Sequence, residues 1–233
     1  MKICIIFSCL FFCFHAIGQK HSLSINYKPS LTYCGKQTQS FDNFYFFSRK
    51  GGNTFNNAVN ILYSYNVSSK ISITTGLEYS RQGQNINFNA DSVSPSDNKI
   101  IFKVELNYLR IPFTIGYSIF KINRSGLSIY SGLSLGIVIK RKDNYQNIIL
   151  EDILLPPANK RYKNMDWAIP IGVNYQKGFT KNISANFGVE YLVGLNNSFA
   201  ENGSSKFGVL SEFDNSRQNR LSLNIGIGIA LAK

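Results

Sequence analysis

Apolar and polar residues alternate along this chain with a period of two, in eight separate runs. The first is Leu23, Ile25 and Tyr27 against Ser22, Ser24, Asn26 and Lys28. Val59 to Tyr65 and Ile71 to Ser80 follow, then Phe102 to Tyr117, Leu127 to Ile139, Trp167 to Tyr175, Ile183 to Leu195 and Leu221 to Leu231. A period of two sends successive side chains to opposite faces of a β-strand, so each run reads as a strand with one apolar and one polar face. A length of about ten residues suits a strand that crosses a bilayer at a tilt. No segment between the runs has a helical period.

The joints between the strands alternate in length. Residues 67–70, 119–126 and 176–182 are short, whereas 35–54, 84–99, 140–165 and 196–219 are long. Short turns at one end and long loops at the other are the habit of an outer-membrane barrel. The polar face is built from Ser, Thr, Asn and Gln with isolated charges, and it carries Gly76, Gly116, Gly132, Gly136, Gly172, Gly188, Gly226 and Gly228. Small side chains are what a narrow eight-stranded interior can hold, which leaves the bulkier apolar set for lipid. The expected fold is therefore all-β: an eight-stranded antiparallel transmembrane up-and-down barrel. The competing reading is a soluble barrel with the apolar set inside, lining a ligand cavity.

Aromatic positions give an independent check. With the amino end in the periplasm, Tyr63, Tyr65, Tyr117 and Tyr175 fall at the periplasmic ends of strands. Tyr33, Tyr79, Phe102, Trp167 and Tyr191 fall at the outer ends, giving the two belts expected where bilayer meets water. The fourth run changes phase: Phe102, Val104, Leu106 and Tyr108 are even-numbered, whereas Leu109 to Tyr117 keep their apolar residues on odd positions. One extra residue near Tyr108, a β-bulge, would restore a continuous lipid face. Pro112 and Pro170 sit inside strands, where proline normally belongs at an edge or a bulge.

Composition sharpens this picture. Apolar residues make up 44% of the 233, aromatics 14% and charged residues 16%, too apolar for a disordered chain. Residues 1–18 read as a secretory signal peptide: Lys2, an apolar run from Ile3 to Phe14, and Ala16 and Gly18 before a cut at Gln19. Residues 19–233 are then the barrel domain. Cys4, Cys9 and Cys13 leave with the leader, so Cys34 has no internal disulfide partner. The chain has 25 Lys and Arg against 13 Asp and Glu. A basic exported protein suits anionic lipid or glycan phosphates, not nucleic acid.

The run Asn107-Tyr108-Leu109-Arg110-Ile111-Pro112-Phe113 resembles the Tyr-Leu-x-Ile-Pro signature of PorT-like outer-membrane β-barrel proteins of the Bacteroidota. The resemblance extends over the chain after the leader and implies the same barrel in the bacterial outer membrane. The founding PorT protein serves type IX secretion, and most of its look-alikes have no assigned role, so that function is not carried over. Members usually have an acidic or polar residue where Arg110 stands.

Candidate chemistry is sparse. Inward positions include Lys28, Glu78, Lys103, Glu105, Arg110 and Glu190. Charges in a narrow lumen should pair, since an unpaired buried charge is expensive. The expectation is a Lys/Arg–Glu network that plugs the lumen; the alternative is contact with trapped water. Lys140, Arg141, Lys142, Lys160, Arg161 and Lys163 flank the third long loop, where they would meet lipopolysaccharide phosphates or simply be solvated. Lys70, Lys121, Arg124, Lys177 and Lys181 mark the short turns with no acid beside them, and the first long loop is aromatic from Phe41 to Phe47. No catalytic, cofactor or metal residues are assigned, and His21 has no local Ser or Asp partner. The expected function is a non-enzymatic structural or interaction role, with outer-membrane lipid, lipopolysaccharide and envelope proteins as partners. An accessory role in an envelope secretion or transport complex is the alternative, and a lipid-modifying barrel enzyme is a more remote one.

Overall fold

A computed structural model describes residues 21–34, 47–90, 99–146, 163–196 and 217–231. The leader, the first long loop from 35 to 46, and Lys160 and Arg161 lie outside them. The strands are β1 (His21–Cys34), β2 (Phe47–Gly52), β3 (Thr54–Asn66), β4 (Ile71–Ala90), β5 (Lys99–Ile122), β6 (Ser125–Gln146), β7 (Met165–Gly178), β8 (Ile183–Gly194) and β9 (Gln218–Leu231). All neighbours are antiparallel, in the order β2-β4-β3-β1-β9-β8-β7-β6-β5, and a β4–β5 pairing closes the ring. Both β2 and β3 pair with β4, above and below Asn53, so they act as one interrupted strand and the closed barrel has eight. Closure pairs each of the eight strands with a neighbour on both sides.

Each of the eight alternating runs falls on a strand, the seventh running one residue past the end of β8 at Gly194. Several strands outrun the sequence reading, in which 35–54, 84–99 and 140–165 are loops. There β2 occupies 47–52, β4 continues to Ala90, β5 begins at Lys99 and β6 continues to Gln146. At the other end the expected 119–126 joint shrinks to a two-residue turn, in which Asn123 takes a left-handed φ of 53°. Asparagine tolerates that conformation better than most residues.

The exterior of the ring is apolar. Ile25, Ile61, Leu77, Phe113, Ile115, Leu133, Ile171, Val189 and Leu223 all point outward and are exposed, whereas Asn26, Lys28, Ser80, Ser134, Asn186, Ser222 and Asn224 are buried inside. A predominantly apolar exterior around a polar interior is stable against lipid, not against water.

The phase change in β5 has a different origin from the one the sequence suggests. Against β4 the β5 register runs without a shift from Lys99 to Arg110, and Leu106 and Tyr108 are fully buried in the lumen beside Arg110. The strand keeps its facing and changes its surroundings. Below Leu109 the outside is lipid and apolar residues face out; above it the outside is water, so Lys103, Glu105 and Asn107 take the outer face. Leu106, Tyr108 and Val138 then form a small apolar core within. Bulges do occur, but elsewhere. Asn107 faces Lys140 while Tyr108 faces Val138, making Ile139 the extra residue on β6; Ile119 is extra on β5. Phe102 and Val104 lie in β5 outside the described side chains.

The internal prolines are accommodated without an edge. The β4–β5 pairing skips from Thr75–Phe113 to Glu78–Arg110, opening the ladder opposite Pro112. The β6–β7 pairing skips from Ser131–Ile171 to Ser134–Ala168 opposite Pro170, and the β1–β9 pairing skips past Pro29. Each missing N–H falls in a gap of one ladder while the other ladder stays paired.

The apolar band predicts a depth-dependent penalty along β9. In barrels refolded into lipid bilayers, Ile225→Lys should cost about 2–4 kcal/mol and Leu231→Lys, at the turn end, about 0–1 kcal/mol. Urea unfolding followed through Trp167, the single tryptophan, measures both.

Candidate functional site

Halfway along the lumen four charged side chains from four strands meet. Lys28 Nζ on β1 lies 2.8 Å from Glu78 Oε2 on β4 and 2.9 Å from both carboxylate oxygens of Glu190 on β8. Arg220 on β9 reaches the same two acids, with Nη1 2.7 Å from Glu78 Oε1 and Nη2 3.0 Å from Glu190 Oε1. The cluster is electrically neutral, and all four residues are buried. Since β4 and β8 lie on opposite sides of the ring, it spans the barrel's width. Tyr130 of β6 donates its hydroxyl to Glu190 Oε2 at 3.0 Å and accepts from Asn224 Nδ2 at 3.1 Å.

Glycine makes room for these long side chains. A Cβ on Gly172 would lie 2.4 Å from Tyr130 Cζ, and one on Gly136 would lie 2.9 Å from Arg110 Nη1. The small residues of the inner face are thus the space into which the long ones reach.

A second ion pair lies above the first. Arg110 of β5 contacts Asp166 of β7, and its guanidinium carbon stands 4.5 Å from the centre of the Tyr108 ring. With the Gln82 amide turned so that its oxygen faces Arg110, that oxygen accepts from Nη2 at 3.2 Å and the amide nitrogen donates to Gln218 at 3.0 Å.

Of the six residues expected in the lumen, Lys28, Glu78 and Glu190 come together, and Arg110 lies inside but pairs with Asp166 instead of Glu78. Lys103 and Glu105 are on the outer face, because β5 does not change phase. There Arg81 Nη2 is 2.5 Å and Lys103 Nζ 3.6 Å from Glu105 Oε1. Burial alone would raise the Glu105 carboxyl. The hydrogen bond and charge of Arg81, followed by Lys103 and Lys142, outweigh it and hold that carboxyl below the ordinary glutamate value.

The expected basic loop is split as well. Lys140 and Lys142 are exposed at the outer end of β6. Arg141 sits opposite the inward Leu106 and donates to Asn164, so alternation turns it away from the outer surface. Lys163 is half-buried next to Asn164. The His21 ring contacts those of Tyr63 and Tyr65.

Arg220, Asp166 and Tyr130 were absent from the sequence reading. Arg220 and Asp166 stand one residue outside the runs that begin at Leu221 and Trp167. Extending the alternation by one residue places both inside. Tyr130 has inward parity, but only the glycine across from it shows that a ring fits.

A closed antiparallel ring of eight strands with an apolar exterior and a neutralised polar lumen defines an integral membrane β-barrel. Residues 19–200 match the family model of the outer membrane protein beta-barrel domain, and the chain belongs to that family of the bacterial outer membrane. Solved structures with similar chain traces include the attachment invasion locus protein Ail of Yersinia pestis. It is 12% identical, covers 92% of this chain and 100% of its own, and has a TM-score of 0.44. Neisserial surface protein A is 10% identical over 91% and 97% of the two chains, with a TM-score of 0.49. Outer Membrane Protein W of E. coli is 11% identical over 93% and 100%, with a TM-score of 0.44. No curated protein matches the chain.

Arg220→Met leaves two acids facing one lysine and should destabilise the barrel by about 3–5 kcal/mol. Lys28→Met and Glu78→Gln should be non-additive in a double-mutant cycle read by urea unfolding. The Glu105 contribution is present above the carboxyl's unfolded pKa and lost as pH falls through its lower folded pKa. A carboxyl NMR titration should therefore give a midpoint below the ordinary glutamate value, moving up in Arg81→Ala.

Proposed function

We propose that this is an exported, non-enzymatic outer-membrane protein whose lumen is plugged and which acts through its outer surface. The amino-terminal leader directs it to the periplasm, and the turn end of the barrel, where β1 begins and β9 ends, faces that compartment. The observation that carries the plugged reading is the Lys28–Glu78–Arg220–Glu190 cluster, which joins opposite walls of a narrow ring. Each described lumen carboxylate contacts a cation, which favours a structural use of these acids over acid–base catalysis.

The outer end supports an interaction role. Arg81, Lys103 and Lys142 gather around Glu105 on the outer face of β4, β5 and β6, with Lys140 exposed beside them, just above the apolar band. Clustered cations at headgroup level suit the phosphates of lipopolysaccharide. The resemblance of Tyr108 to Pro112 to the PorT signature supports a second reading, an accessory part of an envelope secretion or transport complex. In the fold, however, Tyr108 and Arg110 of that run face the lumen and Pro112 occupies a ladder gap, which fits a scaffold role for the motif. Co-purification of a secretion complex from native outer membrane would favour the second reading.

The plug is tested in planar bilayers. The unaltered barrel should conduct no better than the bare membrane. Glu190→Ser combined with Arg220→Ser, which keeps the lumen neutral while emptying it, should give discrete openings. Conductance by the unaltered protein would refute the plugged lumen.

A further inference from the structure

The inner half of the lumen, below the charge cluster, is a cavity of about 720 Å³. Lys28, Glu190 and Tyr130 form its floor, and it opens between the turns at 121–124 and 180–183. Its volume lies in the range of small-molecule sites, roughly 300–1,000 Å³, but its wall is not the mostly apolar kind. Ser24, Ser64, Thr74, Ser128, Asn174 and Gln176 are typical of the lining. Hydroxyl and amide side chains both donate and accept hydrogen bonds.

The rim carries charge of one sign. Lys121, Arg124 and Lys181 line the mouth and are exposed. Arg124 is tied to the end of the adjacent strand β7: its carbonyl accepts from the Gly178 amide at 2.7 Å, and its Nη1 donates to the Phe179 carbonyl at 3.3 Å. Among the described residues of the wall the single acid is Glu190, which is already paired with Lys28 and Arg220. A concave site with low-dielectric walls and a cationic mouth concentrates anions.

We infer that this vestibule is a binding site, open to the periplasm, for an anionic sugar. Its phosphate is held by Lys121, Arg124 and Lys181, and its hydroxyls by the wall of Ser24, Ser64, Thr74, Ser128, Asn174 and Gln176. The same chemistry is offered by a soluble sugar phosphate and by the glycerol phosphate headgroup of an inner-leaflet lipid.

The test is calorimetric titration of the full barrel in nanodiscs of zwitterionic lipid. Glucose 1-phosphate should bind at least tenfold more tightly than either inorganic phosphate or maltose. The Lys121→Ser/Arg124→Ser/Lys181→Ser variant, altered only at exposed positions, should lose at least tenfold in affinity for it and still shift in mobility on boiling. Asn174→Ala/Gln176→Ala should narrow the preference for glucose 1-phosphate over phosphate. Repeating the titration in phosphatidylglycerol discs separates the sources. Competition there assigns the site to a lipid headgroup, undiminished binding assigns it to a soluble sugar phosphate, and both uphold the site. Equal affinity for glucose 1-phosphate and inorganic phosphate, no binding at all, or unchanged affinity in the triple rim variant would overturn it.

Discussion

A closed ladder sends every second side chain into a space that eight strands make narrow. That steric constraint governs most of what this sequence does. The inner face has to be largely Gly, Ser, Thr and Asn, and any large residue there needs an opposing void. Tyr130 reaches Glu190 because Gly172 has no side chain, and the Arg110 guanidinium lies where a Cβ on Gly136 would crowd it. Charge has to cancel as well as fit. Lys28 and Arg220 are matched by Glu78 and Glu190, and Arg110 by Asp166. A buried charge without its partner would cost several kcal/mol.

The same ladder passes through two solvents. Where lipid surrounds it, the exterior is Ile, Leu, Val and aromatic residues. Where β4, β5 and β6 rise past the apolar band, the exterior becomes Arg81, Lys103, Glu105 and Lys142, and the interior takes Leu106, Tyr108 and Val138. Hydrophobic patterning is a statement about side-chain environment, so it inverts at the membrane boundary without any change in strand geometry.

This explains which parts of the structure were legible in sequence. The eight strands were, because alternation over about ten residues is a strong local signal. The facing of the lipid-embedded part was legible too, since glycine and small polar residues recur on one parity. The inversion in β5 was not: a shift of phase and a change of solvent leave the same pattern, and only the β4 register separates them. Ion-pair partners were half legible. Parity identifies Lys28, Glu78 and Glu190 as inward, but which acid meets which cation depends on the stagger around the ring. Glu78 is cross-strand from Arg110 and yet bonds to Lys28 and Arg220. The vestibule is a property of closure, drawing its lining from strands far apart in the chain.

Lys28 and Arg220 bridge Glu78 and Glu190 across the lumen. Solid-state NMR of the barrel in lipid bilayers measures this directly, through dipolar couplings between the Lys28 side-chain nitrogen and glutamate carboxyl carbons. Close couplings to both Glu78 and Glu190, on opposite walls, are expected. A Lys28 nitrogen coupled to neither carboxyl, and exchanging its protons freely with water, would contradict the bridge.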